Sequence, residues 1–354
     1  MSLLNNANQD NATIHVIGQG LAGSVLALLL EERGYKVSIY DDGHQSSSSI
    51  VAGGMWNPVS FKKLHASWLA QELLPEAESL YRRLEKLLGV SFFHPVELIR
   101  IFPDNRSANE WDERSVHPEL SDFIARKEDQ NASSDFKTPY GHGVVQGSGW
   151  LNVPVFLEAA EAHFRANQSL TIESFTAGKI QDLLRNDDIV ILATGWKHIV
   201  NSGLDWLPVL PNKGQVLTVS IPGMKSERMF NFGKFIVPLG DEKYRLGATY
   251  ELNPTDVETT KEAFEELISD LKEHCNHAPI FIDHKAGFRP TVPDRKPLLG
   301  FDTENPRLGF FNGFGSKGVM LIPYFAKHLI DHMALGTEIS AEVHIRRYIK
   351  RFKK

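Results

Sequence analysis

Residues 14–41, IHVIGQGLAGSVLALLLEERGYKVSIYD, constrain this chain more than any other stretch. The β-branched run 14–17 predicts a buried strand. It is followed by Gly18-x-Gly20-x-x-Gly23 and an apolar helical stretch to Arg33, which Gly34 ends. A second strand is expected over 36–40, with Asp41 directly after it. Strand, glycine turn, helix, strand and acid in this order form the dinucleotide-binding βαβ unit. Gly18 permits the tight turn, Gly20 lets a pyrophosphate approach the backbone, and Gly23 lets helix and strand pack closely. Leu21 and Ala22 open the helix, whose free N–H groups and partial positive charge suit phosphates. Asp41 is placed to accept from a ribose hydroxyl. The motif alone does not choose between NAD and FAD.

The 354 residues leave room for two domains and an ample core. A net charge of −6 argues against broad electrostatic capture of nucleic acid. The single cysteine, Cys275, excludes an internal disulfide and a cysteine-rich metal site. The histidines His65, His94, His142 and His284 lack metal-ligand spacing, so no metal is expected. The first eleven residues show no basic segment followed by a long apolar one. The apolar run 21–30 is too short to span a membrane. A cytoplasmic protein without a membrane span is therefore expected.

Beyond Asp41 and Asp42, a serine-rich loop over 43–49 includes Ser48 and Ser49 and leads into Ala52-Gly53-Gly54-Met55-Trp56. This segment reads either as a flexible surface loop or as hydroxyls and bare backbone beside a flat ligand. A helix is expected over 65–89, with Pro75 able to start a second one. Strands over 90–102, broken at His94-Pro95, precede a short helix over 105–113; residues 126–138 read as a loop and 138–149 as strand pieces. Asn152 is the expected N-cap of a helix reaching Ala166, with Pro154 in its first turn. Strands over 170–175 and 188–192 return the chain to the nucleotide domain, the second running into Ala193-Thr194-Gly195. Strands over 215–220, 234–238 and 244–250 and a helix over 261–274 predict a second domain with an antiparallel sheet. A strand over 308–312 then meets Gly313-Phe-Gly315-Ser316-Lys317-Gly318 and an apolar helix to about Leu335.

In this order the pieces resemble the FAD-dependent amino-acid oxidoreductases, a family that includes glycine, sarcosine and D-amino-acid oxidases and dehydrogenases. The resemblance covers nearly the whole chain. It rests on the first glycine motif, the 52–55 loop, Gly149-Trp150-Leu151, Ala193-Thr194-Gly195, Lys213-Gly214-Gln215, Leu246-Gly-Ala-Thr-Tyr250, Gly287-Phe-Arg-Pro290 with Asp294 and Pro297-Leu-Leu-Gly300, and Gly313 to Met320. Within the family the chain resembles most the flavin domain of the bifunctional enzymes that remove a carboxymethyl group from a tRNA wobble uridine. It leaves no room for their methyltransferase domain. The resemblance implies an α/β fold: a discontinuous Rossmann-like FAD domain over 1–63, 148–208 and 285–354, and an α+β substrate domain over 64–147 and 209–284. Cutting near residue 60 should then release no stable nucleotide-binding fragment.

The resemblance also implies hydride transfer from a carbon beside an amine to flavin N5, followed by imine hydrolysis, with a small-molecule amine or amino acid as substrate. Arg289 then holds the substrate carboxylate with its planar fork; the bland alternative is a structural salt bridge. Gly315, Ser316, Lys317 and Gly318, with Val319 and Met320 behind them, place N–H groups and a helix dipole near the pyrimidine end of the flavin. Lys317 either adds its charge there or stays solvated. Met55 and Trp56 either wall the ring or belong to the core, and Phe175 offers backbone to the adenine. Two departures count against glycine itself as substrate. Phe235 stands where glycine oxidases carry a carboxylate-binding tyrosine, and Ser316 where they carry a second basic residue. A bulkier or secondary amine is expected. A modified tRNA uridine is the second reading: the basic run 346–354 favours it, although a solvated helix explains that run as well. A flavin-binding protein without turnover is the third.

Overall fold

The computed structural model describes residues 12–43, 48–126, 134–185, 188–197, 199–252 and 254–352. Parts of the 43–49 loop and of the 126–138 loop, and the end of the basic run, lie outside these residues. Among the described residues two large sheets organise the chain. The first has six strands in the spatial order Leu170–Ile172, Val37–Asp41, Ile14–Ile17, Ile189–Leu192, Leu308–Asn312 and Leu298–Phe301. The first five are mutually parallel, and the last runs antiparallel.

Ile14–Ile17 is buried along its whole length because its alternate side chains enter two different cores. Ile14 and Val16 join Ile189 and Ile191 in one, while Ile17 joins Val190 and Leu192 in the other. The first core is covered by Leu21–Glu32, Ala70–Leu88, Val153–Ala166 and Gly318–Leu335. Leu21–Glu32 is buried around nearly its whole circumference up to Leu30, which explains its largely apolar sequence before Glu31. The second core is covered by Ala177–Arg185, a helix not anticipated from the sequence.

The second sheet has eight strands. Ile280–Thr291 pairs along the full length of Leu210–Ser220. Beyond Leu210–Ser220 come Lys243–Gly247, Phe235–Gly240, Met229–Asn231, Leu98–Ile101 and His142–Val145, with Glu251–Leu252 extending the Lys243–Gly247 side. Alternation gives this sheet two unlike faces. Ile99, Leu217, Phe230, Ile236 and Leu246 point into an apolar core closed by the helix Lys261–His274. The opposite face, with Arg100, Asn231, Phe235, Arg245 and Arg289, looks into a large cavity against the first sheet.

Several boundaries differ from expectation. The helix expected from residue 65 begins at Ala70, because Leu69 takes a left-handed conformation and His65–Ala66 pairs as a short strand. Pro75 lies inside one continuous helix, where a missing N–H costs one bond near the N-terminus. His94 and Pro95 belong to Phe93–Pro95, so the break falls at Val96 and Glu97. Residues 173–175 are not strand, and the strand expected to reach Tyr250 ends at Gly247. Residues 280–291 form one unbroken strand that crosses the expected boundary at 284/285.

Candidate active site

The carboxyl edge of the parallel sheet and the polar face of the antiparallel sheet enclose a cavity of about 1420 Å³. Ordinary ligand pockets occupy about 300–1,000 Å³, so this space suits a large cofactor together with a substrate.

At the parallel-sheet end the wall is mostly backbone. Gly18 has φ +107, and a Cβ there would lie 2.5 Å from the Ala193 carbonyl oxygen. A Cβ on Gly23 would lie 1.8 Å from the Gly18 carbonyl oxygen. Gly23 is thus bare for packing and does not line the cavity, whereas Gly18, Gly20, Leu21 and Ala22 do. The Asp41 carboxylate accepts from Gln19 N and Gly43 N, each at 2.7 Å, and so ties the glycine turn to the next strand. Ser49 Oγ accepts from Leu21 N at 3.2 Å, while Ser48 Oγ donates to the Phe288 carbonyl. Both serines also line the cavity, and Ser48–Val51 is a helical turn. Asp42 faces Lys197 at 3.3 Å. Ala193, Thr194, Gly195 and Phe175 line the same end, with the Phe175 ring 4.8 Å from that of Tyr40.

Two motifs far apart in sequence meet in the middle of the cavity. Met55–Trp56 pairs with Gly149–Leu151, and Leu151 N donates to the Gly54 carbonyl at 2.9 Å. A Cβ on Gly54 would lie 1.9 Å from the Leu151 carbonyl oxygen, so this glycine serves the junction between strands. Ala52, Gly53 and Met55 line the cavity. Trp56 stacks on Phe93 at 4.5 Å and donates its indole N–H to Gly147, so its ring is committed to the protein. Opposite, the helix Gly318–Leu335 starts at the wall, with Gly315, Ser316, Lys317, Gly318, Val319 and Met320 lining it. Gly313 does not line it; a Cβ there would lie 2.5 Å from Val292 Cγ2. Lys317 is open to the cavity and donates to Ser67 Oγ at 3.0 Å. Crowding by protein atoms, with Arg295 adding to it, holds its ammonium pKa below the usual value.

At the antiparallel-sheet end the wall is built from side chains. Arg289 lies across Leu210–Ser220, where Gly214 leaves room: a Cβ there would be 2.1 Å from Arg289 Nη2. The guanidinium donates to Asn212 Oδ1 at 2.9 Å and to the carbonyls of Lys213 and Thr249, and stands over the Tyr250 ring at 5.5 Å. Burial lowers its pKa, with Tyr250 opposing. Among the described residues no carboxylate pairs with it. The structural salt bridge weighed for Arg289 is thus not seen there. Lys213, by contrast, turns to the other face, where Asp256 at 3.0 Å satisfies it. Gln19, Arg100, Asn231, Arg245 and Asn312 also line the cavity and were not singled out from the sequence. For the three on the antiparallel sheet the signal lay in strand register, which a single sequence does not supply.

Among the described residues no group of His, Cys, Asp and Glu is placed to hold a metal ion. None of the helices there is long and apolar enough to cross a membrane.

A parallel sheet with a glycine turn at its carboxyl edge, facing a deep cavity, defines the class of dinucleotide-cofactor enzymes. The chain matches the FAD dependent oxidoreductase (DAO) family over residues 13–332 and belongs to it. It is an FAD-dependent oxidoreductase. The bare turn at Gly18 and Gly20, the helix start at Leu21 and the size of the cavity fit that cofactor. The chain is 24% identical over 347 residues to the tRNA 5-methylaminomethyl-2-thiouridine biosynthesis bifunctional protein MnmC of Idiomarina loihiensis, covering 90% of this chain and 55% of that protein. It spans about half the length of the curated relatives it matches. Among solved structures, iminodiacetate oxidase from Chelativorans sp. BNC1 superposes with a TM-score of 0.74 at 18% identity, covering 95% of this chain and 98% of that one. Glycine oxidase from Geobacillus kaustophilus gives 0.73 at 17% identity, with 93% and 96% covered. At these identities the structural likeness concerns the fold.

Proposed function

We propose that the protein oxidises the C–N bond of an amino acid or an N-substituted glycine. The observation that carries this reading is Arg289, a guanidinium facing the cavity with no carboxylate partner among the described residues. A substrate carboxylate supplies the missing anion through two parallel hydrogen bonds. The amine carbon then gives up a hydride, the nitrogen lone pair closes the C=N bond, and water hydrolyses the resulting imine. FAD, when bound, supplies the two-electron acceptor. Phe235, half-buried on the same cavity wall, adds an apolar patch that suits a substituent on the nitrogen. Met55 walls the reacting centre, and Lys317 with the first turn of Gly318–Leu335 favours negative charge opposite. In this reading residues 1–63, 148–208 and 285–354 bind the cofactor and 64–147 with 209–284 shape the substrate space, the strand Ile280–Thr291 serving both.

The test is anaerobic bleaching of the FAD-loaded protein by a panel of amino acids and N-substituted glycines. Arg289→Ala is expected to retain FAD yet lose bleaching by carboxylate-bearing amines by a hundredfold or more. Unchanged kinetics in that variant would remove the assignment. The second reading, a carboxymethylaminomethyl uridine of tRNA as substrate, is favoured by the match to the MnmC protein. Modified tRNA bleaching the flavin when every free amine fails would establish it.

A further inference from the structure

The acidic groups around the cavity are sorted by position, with Arg165 and Lys197 among them. The acidic lining residues, Asp41, Asp42, Glu158, Glu161 and Glu173, all stand at the parallel-sheet end. The other end has no acidic lining residue among those described, and it carries Lys62, Arg100, Arg245 and Arg289, with Lys317 between the two ends. In the reading above, a substrate carboxylate answers Arg289 and the reduced cofactor answers Lys317. Arg245 is tied to the Val51 carbonyl at 2.8 Å. Arg100 is left without an anion.

Arg100 is half-buried in the cavity wall. It stands on Leu98–Ile101, between Met229–Asn231 and His142–Val145. Its strand register runs Arg100, Asn231, Phe235, Gly247, so its side chain shares the cavity face with Phe235. Nη1 donates to Asn231 Oδ1, and the guanidinium stands 5.1 Å over the Phe61 ring. Its other N–H groups have no protein acceptor among the described residues, and burial lowers its pKa. Holding a cation in this setting is costly unless an anion arrives. Arg289 reaches over Gly214 and Arg100 bonds Asn231, so three strand spacings of about 4.8 Å, roughly 14 Å, separate the two sites. A single carboxymethyl or iminodiacetate-sized ligand does not bridge that span.

We propose that Arg100, with Asn231 and Phe61, forms a second anion subsite, and that the substrate is an amine carrying a second anionic group on an extended arm. This rests on the assignment of Arg289 to the first carboxylate. The second anion is a carboxylate or a phosphate, since a guanidinium fork takes either.

The experiment uses the FAD-loaded protein and reads binding through the perturbed flavin spectrum, so no turnover is required. The probes are linear dicarboxylates of increasing length, matched monocarboxylates, and ω-phosphonocarboxylates. Affinity is expected to rise once the chain is long enough for the second anion to reach Arg100, by about ten- to hundredfold over the monocarboxylate. Arg100→Gln should abolish that gain and leave monocarboxylate binding unchanged, and Arg100→Lys should restore part of it. Arg289→Lys should weaken every probe. A larger gain for the phosphonate arm, reproduced by carboxymethylaminomethyluridine with a 5′-phosphate over the free nucleoside, would identify a nucleotide phosphate as the second anion. A gain with dicarboxylates alone would identify a free diacid. If Arg100→Gln leaves the gain intact, or weakens both probe classes equally at unchanged Tm and flavin content, the subsite is overturned. If no amine bleaches the flavin while the Arg100-dependent gain persists, the proposed reaction fails and the subsite stands.

Discussion

The two ends of the cavity are built from different material. At the parallel-sheet end the contact surface is backbone: bare turns, a helix start and carbonyl-lined strand ends, with Asp41 fastening the turn from behind. At the antiparallel-sheet end it is side chain, with arginines standing on strands and Gly214 making room for Arg289. A backbone site is generic and fits one cofactor in many proteins. A side-chain site changes with one substitution and carries the specificity. Damage at the first end should therefore remove the holoenzyme, and damage at the second should leave it yellow and inactive.

The largest effect tests the first half of that statement. Gly23→Val drives a side chain into the Gly18 carbonyl, 1.8 Å from the Cβ position. The variant should emerge without flavin and with a much lowered Tm; a yellow Gly23→Val protein would break the contrast. Next comes Gly214→Val, whose side chain occupies the place of the Arg289 guanidinium. FAD content should stay near wild type while turnover falls by about a hundredfold, because a 1 Å misplacement is enough for that. Loss of flavin here would show that the two ends are not separable.

A smaller effect concerns Lys317. Its lowered pKa means that the ammonium loses its proton as pH rises through a value below the usual 10.5. In the FAD-free protein its modification by an amine-reactive reagent, followed by mass spectrometry, should have a midpoint below 10.5, and FAD should protect it. A midpoint at or above that of surface lysines would place the side chain in bulk water. The smallest effect lies behind the parallel sheet. His344 packs against Gly300 and, through burial first and Arg346 second, its pKa falls to about 4. The unfolded chain takes up this proton near pH 6.5, and the folded chain refuses it until about pH 4. Stability should therefore decline as pH falls across that window, by about 2 kcal/mol for this group given its partial exposure. His344→Gln should flatten that part of the Tm-against-pH curve without touching ligand affinity at either end.

What the sequence disclosed follows the same division. Gly18, Gly20 and Gly23, the strand 308–312 and the helix ending at Leu335 rest on local chemistry, which composition and spacing carry. The pairing of Met55–Trp56 with Gly149–Leu151 made two separate motifs into one junction, and only the folded chain shows it. Arg100 and Arg245 were missed because a lone arginine in a strand-like segment looks the same on either face. Register decides the matter, and register depends on partners far along the chain. Ser48 and Ser49 line the cavity as well as bonding Phe288 and Leu21, a second set of contacts that composition alone does not show.

The position of Ile14–Ile17 has a consequence for how the chain is made. This strand is synthesised about 170 residues before one of its two partners, because it sits in the middle of its sheet, between Val37–Asp41 and Ile189–Leu192. One of its edges is covered soon after it leaves the ribosome. The other stays open until residue 192 follows, with residues 64–147 made in the meantime. An apolar strand with an unpaired edge invites association with other chains. Slowing translation after residue 63 should thus lower the soluble yield, whereas a pause after residue 192 should be tolerated.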